Sequence, residues 1–477
     1  MPEGSSFDLV IIGGGPAGYV GAIRAAQLGL SVACVERDKL GGVCLNYGCI
    51  PTKALLAGAE FYDRILHEAD HWGITVENVR YDWNKVIQRS RGVAGQLNKG
   101  VHFLFKKNKV THIEGHAFIP SPGTVQVFDK QDVTRQGQPV QTLSAKHIII
   151  ATGAMPRELP GAPFDGEWIL SSKEAMTIAK QPKDILIVGS GAIGMEFAYF
   201  YNAFGTKVTI VEMLDRLMPI EDSEISKEIE KAFNKQGITT LPGHKTISLE
   251  KTGNGIKAVV APTKDESKTQ TIEAEKAIVA IGVRGRFDGL FDDSLGLKIY
   301  KDHIKVDTTT YMTNVRGIYA VGDVIGPPWL AHVASEEAIV CVERIAGHEA
   351  APIDYSSVPG CTYCHPQVAS IGLTEDKCKE QGLDYRVGKF PFSASGKAQA
   401  LGQTQGFTKI ITDAKHGELL GAHMIGENVT ELIAELGLAR RLEATGAEIT
   451  ATMHAHPTLS EAVMEAALGA EGRMIHF

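Results

Sequence analysis

The chain has 477 residues, 44% hydrophobic and 22% charged, with 51 glycines; at roughly 100 to 200 residues per domain this allows two to four domains, and the composition excludes a collagenous or disordered chain. A formal charge of −8 argues against a nucleic-acid partner, which needs a basic excess to neutralise phosphates. No apolar run approaches the ~20 residues that span a bilayer, and the start Met-Pro-Glu-Gly-Ser-Ser lacks a secretory signal. No membrane partner is expected. The predicted location is intracellular and soluble: cytoplasmic, or an organellar matrix or stroma where a transit peptide has been removed.

In chain order, Phe7 to Ile12 reads as a buried strand, followed at once by Gly13-Gly14-Gly15-Pro16-Ala17-Gly18 and a helical stretch from Tyr19 to Leu28. Gly13 permits the tight turn, Gly15 lets the backbone approach a pyrophosphate, and Gly18 allows close packing of helix on strand. The next apolar strand, Ser31 to Val35, ends at Glu36, 18 residues beyond Gly18. Its carboxylate is placed to accept hydrogen bonds from a ribose diol. Cys44 and Cys49 come next, four residues apart, with Pro51 suited to a first helical turn. Both sulfurs are expected near a helix N-terminus, where partial positive charge favours thiolate. Two buried free thiols are the alternative, and no further Cys or His lies nearby to complete a metal site.

The strand, glycine turn, helix, strand and acid recur at Asp184 to Val188, Gly189-Ser190-Gly191-Ala192-Ile193-Gly194, a helix from Met195, Lys207 to Val211 and Glu212, again 18 residues beyond the last glycine. Two dinucleotides are therefore expected, naturally FAD and a nicotinamide. A carboxylate at Glu212 would repel a 2′-phosphate, favouring NAD over NADP; a surface strand-end acid is the alternative, and Arg216 stands beside Asp215 in the following turn. Gly317 to Asp323 reads as a buried strand ending in Gly-Asp, where Asp323 could equally cap a turn. Cys361 and Cys364 form a CxxC with no second pair to complete a zinc site. Near the C-terminus, His454-Ala455-His456-Pro457-Thr458-Leu459-Ser460-Glu461 precedes a helix that Thr458 or Ser460 could cap, with Glu461 in its first turn.

Gly-Gly-Val-Cys-x4-Cys-Ile-Pro-Thr-Lys at residues 41–53 resembles the redox motif of the pyridine nucleotide-disulfide oxidoreductases, and the likeness extends through both glycine turns to the histidine motif. The resemblance implies an α/β fold with two Rossmann-like dinucleotide-binding domains, for FAD and NAD, plus a C-terminal α+β dimerisation domain. The implied division is FAD domain 1–152 and 282–352, NAD domain 153–281, and interface domain 353–477. It implies that Cys49 faces the flavin and Cys44 exchanges with substrate, that Lys53 approaches the flavin ring and pairs with Glu196, and that His456, oriented by Glu461, is the base that deprotonates a dithiol. Around FAD it adds Gly115, Thr152, Gly153, Asp323 and Ala331 to Gly13, Gly15, Gly18 and Glu36. Around NAD it implies Gly189, Gly191, Ile193, Gly194 and Glu212, with Gly282 at the return to the flavin domain.

Within the family the pattern is similar to enzymes that oxidise protein-bound dihydrolipoamide and reduce NAD. The implied partners are a second copy in a homodimer, and lipoyl domains and the acyltransferase core of 2-oxoacid dehydrogenase complexes or the lipoyl carrier of glycine cleavage. A glutathione-reductase-like enzyme and a mainly structural complex subunit are the alternatives. Two departures from the family pattern stand out: Val333 where lysine is frequent, and Gly282-Val283-Arg284-Gly285-Arg286-Phe287 in place of Gly-Arg followed by Pro-Asn.

Overall fold

A computed structural model describes residues 5–477; the four residues before them, on which part of the N-terminal reading rested, lie outside the described residues. The chain divides into two units. The first takes in the chain up to Ala54 with Ile87–Arg157 and Gly282–Ile353, and the second takes in Leu55–Val86, Glu158–Ile281 and Asp354–Phe477.

In the first unit, strands Thr111–Glu114, Val32–Glu36, Ser5–Ile12 and Gln141–Ile150 lie side by side and parallel, with Ile318–Ala320 parallel to the C-terminal half of Gln141–Ile150. Thr124–Phe128 and His116–Ser121 extend the sheet antiparallel. Leu9 and Ile11 pack into one core and Val10 and Ile12 into another. Both faces are covered, which is why this strand reads as an unbroken apolar run rather than an alternation. Helices Pro16–Gln27 and Ala331–Ile345 pack together on one face, tied by Arg24 to Glu343 at 2.6 Å.

The second unit repeats the theme. Thr239–Leu241, Lys207–Val211, Asp184–Val188, Lys276–Val279 and Ile169–Leu170 form a five-stranded parallel sheet in that order, beside a three-stranded antiparallel one. Helix Ala192–Ala203 runs from the end of its central strand and is buried on most sides. Its aromatic residues Phe200 and Tyr201 pack against Trp83, whose indole N–H donates to Ile178 O at 2.9 Å. The C-terminal part is an antiparallel sheet in the order Gly360–Thr362, Gln367–Gly372, Leu419–Gly426, Phe407–Asp413, Tyr385–Pro391, covered by helices Val429–Arg441 and Glu461–Ala470. Among the described residues, no helix is long and apolar enough to cross a membrane.

The expected α/β architecture with a C-terminal α+β part is present, but some boundaries differ. The helices after the glycine turns begin at Pro16 and Ala192, not at Tyr19 and Met195, because Gly15 and Gly191 take extended N-cap conformations. The Cys44 and Cys49 sulfurs do not share one helix N-terminus: Cys44 lies within the short helix Gly42–Tyr47, whereas Cys49 opens the helix Cys49–His67. Gly48, at φ −145° and ψ −117°, breaks the chain between them.

Helix Glu461–Ala470 reaches its sheet only because Gly388 lacks a side chain: a Cβ there would stand 1.8 Å from Ala466 O and 2.3 Å from Ala470 N. Overpacking against backbone forces the helix off the strand. Gly388→Ala is expected to lower the urea midpoint of unfolding by the equivalent of about 1–3 kcal/mol, and an unchanged midpoint would show that this contact is not tight.

Candidate active site

The first glycine turn is closed by backbone and by an acid. Gly13 N donates to Val35 O at 2.8 Å, and Gly14 N donates to Glu36 Oε2 at 2.6 Å. Glu36 also accepts from Asp38 N at 2.7 Å, while Gly115 N donates to Glu36 O at 3.0 Å. A Cβ on Gly18 would lie 1.8 Å from Gly13 O, so only glycine lets the helix sit this close to the turn. The helix cap at Gly15 has no side-chain hydrogen bond, leaving first-turn N–H groups for an anion. Thr152 Oγ1 and Arg286 Nε in the same unit are buried without a hydrogen-bond partner among the described residues. Ala331 opens another helix whose N-cap, Leu330, offers no side-chain bond. Gly153 O accepts from Arg286 N at 2.9 Å and Gly282 O from Arg157 N at 3.0 Å, so both glycines lie where the chain leaves and re-enters this unit.

The cysteine segment packs directly on that turn. Gly41 N donates to Gly14 O at 2.7 Å, and a Cβ on Gly42 would fall 2.5 Å from Gly15 Cα. Buried Asn46, between the two cysteines, donates to Leu40 O at 3.0 Å and to Gly42 O at 2.9 Å. Helix Trp83–Asn108 supplies two more clamps: Arg91 donates to Asn46 O at 2.7 Å and Asn98 to Leu40 O at 2.7 Å.

Cys44 and Cys49 are hydrogen-bonded to each other. The Cys44 thiol is pushed far above its ordinary range, first by that bond, then by burial and by the charge of Cys49; Lys53 acts in the opposite sense and Asp323 adds a smaller upward push. Cys44 is therefore the sulfur that holds its proton more tightly, and Lys53 and Asp323 lie close enough to act on it. Burial pushes the Asp323 carboxyl itself up to about 6. Asp323 sits in the turn Gly322–Ile325, anchored by Gly322 N donating to buried Glu337 Oε2 at 2.6 Å.

The second glycine turn, in the other unit, has the same construction. Gly189 N donates to Val211 O at 2.8 Å and Ser190 N to Glu212 Oε2 at 2.8 Å; a Cβ on Gly194 would lie 2.1 Å from Gly189 O. Glu212 is buried and also accepts from Ser190 Oγ and Leu214 N, each at 2.8 Å. Gly191 caps the helix without a side-chain bond, and Ile193 in its first turn is 43% exposed. Arg216 is committed elsewhere, to Asp215 at 3.1 Å and Asp376 at 3.0 Å. Glu196 is buried in the same helix and accepts from Tyr363 N at 3.1 Å. Cys361 Sγ points to Thr430 O and Cys364 Sγ to Pro366 O.

His456 Nδ1 pairs with Glu461 Oε1 at 2.9 Å, and its side chain is 78% exposed. That bond fixes the ring with its Nδ1 proton toward the carboxylate and the Nε2 lone pair outward. Burial acts to raise the Glu461 carboxyl, but hydrogen bonds from Thr458 N and His456 overcome it and leave it below its ordinary value. The pair therefore persists at neutral pH and is lost as pH falls through that lowered value. Neither Thr458 nor Ser460 caps the helix as expected. Ser460 is already helical and makes no cap bond, while the Thr458 hydroxyl donates to Ala455 O. His454 is buried and bonded to Glu435 at 2.7 Å.

Sequence reasoning missed Asn46, Arg91, Asn98, Ser190 and Glu337. Glu337 had a signal: it shares the helical stripe of buried Ala334, Ala338 and Cys341, where an acid needs a partner.

Residues 7–338 match the pyridine nucleotide-disulphide oxidoreductase family and residues 358–467 match its dimerisation domain. The chain belongs to the pyridine nucleotide-disulphide oxidoreductases. It is 48% identical to the dihydrolipoyl dehydrogenase of Rhizobium etli over 99% of each chain. Against the Bacillus subtilis enzyme of the same name it is 45% identical over 99% of this chain and 100% of the relative. The crystal structure of LpdA from Mycobacterium tuberculosis superimposes with a TM-score of 0.87 at 26% identity, over 97% of this chain and 99% of that one.

The effect of Cys49 on the Cys44 thiol is testable on the reduced enzyme. Cys49→Ala removes the hydrogen bond and the charge and leaves burial alone, so the pH midpoint for alkylation of Cys44 by iodoacetamide should fall. Rates read by mass spectrometry between about pH 6 and 11 check this, and a midpoint unchanged or raised contradicts the coupling.

Proposed function

We propose that the enzyme oxidises a protein-bound dihydrolipoyl dithiol to the cyclic disulfide and reduces NAD to NADH, with Cys44 and Cys49 as the redox pair. The hydrogen-bonded thiols beside Lys53, packed on the first glycine turn, carry this reading. FAD and NAD are the cofactors; FAD, when bound, would supply the two-electron carrier between the reduced cysteines and NAD. FAD fits the first unit: the uncapped helix at Gly15, Glu36, Gly115 and Thr152 beside the turn, Asp323 near the thiols, and the helix opened by Ala331. NAD fits the second turn, with Gly189, Gly191, Ile193 and Gly194 as cradle and Glu212 toward the ribose. The domains are read as 1–152 with 282–352, 153–281 and 353–477.

In the oxidised enzyme Cys44 and Cys49 form a disulfide. A substrate thiol gives its proton to His456 Nε2 and attacks Cys44 Sγ; the S–S bond breaks and Cys49 leaves as thiolate. The second substrate thiol then attacks the substrate sulfur of this mixed disulfide, its proton passing to the departing Cys44 sulfur; the substrate–Cys44 S–S bond breaks and the lipoyl ring closes. Glu461 holds the imidazole and stabilises its protonated form. Cys49 opens a 19-residue helix, where the backbone dipole stabilises its thiolate.

The dimerisation domain supports a homodimer in which each His456 serves the partner subunit. Apolar Leu438 and Leu442, 61% and 70% exposed, and Met453, 95% exposed, lie on the same C-terminal part as His456 and suit burial by a second copy. A lipoyl domain of a 2-oxoacid dehydrogenase complex or of glycine cleavage would then deliver the dithiol. Stopped-flow absorbance with dihydrolipoamide should show rapid flavin bleaching followed by NADH formation, abolished in Cys44→Ser. His456→Gln should slow the dithiol step by about 10²- to 10⁴-fold; a rate within twofold of wild type would remove His456 from the mechanism.

A further inference from the structure

Outside the cysteine, glycine-turn and histidine sites, the second unit holds a buried cluster of charges that the proposed chemistry does not use. Lys409, in the middle of strand Phe407–Asp413, is fully buried, and its ammonium meets Asp222 at 3.0 Å, Glu224 at 2.9 Å and Glu375 at 2.7 Å. Asp222 is equally buried. It accepts from Glu224 N at 3.0 Å, capping helix Ser223–Lys235, and from Glu375 N at 3.1 Å, at the start of helix Glu375–Glu380. At the rim, Lys389 pairs with Glu224 and Lys379 with Glu375, so three cations face three carboxylates.

Asp222 ends the loop that begins at Glu212. Midway, Met218 N donates to Ser190 O at 3.3 Å and to Ser190 Oγ at 3.2 Å, and the same Ser190 binds Glu212. Nearer its start, Arg216 reaches Asp376 at 3.0 Å. The loop is therefore fastened to the glycine turn on one side and, through Arg216 and Asp222, to the 375–376 helix and Lys409 on the other.

We infer that Lys409 is a positioning residue for the nicotinamide nucleotide: by holding Asp222 it fixes the 213–222 loop, which in turn holds Ser190 and the Glu212 carboxylate in register. The inference rests on the reading of the second glycine turn as the NAD site. A buried charge resists displacement because moving it away from its counter-charges strands each of them in a low dielectric. An apolar contact of the same size would slide more easily.

The test is steady-state and stopped-flow kinetics on the FAD-loaded dimer. Lys409→Met is expected to raise KM for NAD about tenfold while flavin reduction by dihydrolipoamide stays within about twofold of wild type; Lys409→Arg, which keeps the charge, should restore most of the affinity. Because removing a buried cation can prevent folding, Asp376→Asn, a change on a part-exposed ion pair, provides a second reading, with KM for NAD expected to rise about threefold. A KM for NAD unchanged in Asp376→Asn and in whatever Lys409→Met folds, even with lowered thermal stability, overturns the inference and leaves the cluster a structural element. Wild-type enzyme reduced by dihydrolipoamide but not reoxidised saturably by NAD would instead overturn the nucleotide reading on which it rests.

Discussion

Gly15 and Gly42 approach so closely that a methyl group on Gly42, which would fall 2.5 Å from Gly15 Cα, changes the distance between two pieces of chemistry. On one side is a helix start whose amides face outward for an anion; on the other is the segment that carries the dithiol. Backbone against backbone is the shortest packing distance a protein can make, and it makes the separation between the glycine turn and Cys44 a property of the main chain rather than of adjustable side chains. Asn46, Arg91 and Asn98 then bind the carbonyls of the same segment, so the loop cannot relax away from the turn without leaving buried polar groups unpaired.

Each unit solves the same problem with the same parts and tunes the result differently. In both, the residue after the first glycine donates its amide to the acid that ends the next strand. Glu36 keeps part of its surface open and engages one further amide, whereas Glu212 is buried and engages a hydroxyl and a second amide as well. The thiols illustrate a second kind of tuning. Their mutual hydrogen bond and burial raise the proton affinity of Cys44, while Lys53 nearby acts in the opposite sense.

Much of this was legible in the sequence, for a physical reason. Glycine turns, the apolar strands before them and the acids after them depend on interactions local in sequence, so residues 7–36 and 184–212 announced their strand, turn, helix and strand order directly. The cysteine spacing and the His456 to Glu461 interval are local too, and the histidine bonds that glutamate. Long-range partners were not legible. Arg91 and Asn98 serve carbonyls some 45 to 58 residues away, and nothing in their helix, which has no acid of its own, says where the donors will go. The break at Gly48 was not legible: Pro51 marks the first turn of the helix that begins at Cys49, and nothing local in sequence marks the separate short helix that carries Cys44. Capping by Thr458 or Ser460 was a reasonable reading of residue type, but Glu461 took the Thr458 amide and the Thr458 hydroxyl turned back to Ala455.

Glu212 joins two properties that are often treated as separable. Its carboxylate is a charge beside the second glycine turn and also the acceptor that shapes the turn, since Ser190 N, Ser190 Oγ and Leu214 N all terminate on it. On the proposal that this turn holds NAD, position 212 is a poor place for a lone substitution aimed at coenzyme preference. Replacing the carboxylate by a side chain with no acceptor oxygen leaves a buried amide and hydroxyl unpaired, and a cationic side chain inserted there would face donors rather than acceptors. Any change at 212 therefore has to supply a replacement acceptor for Ser190, which ties the two positions together.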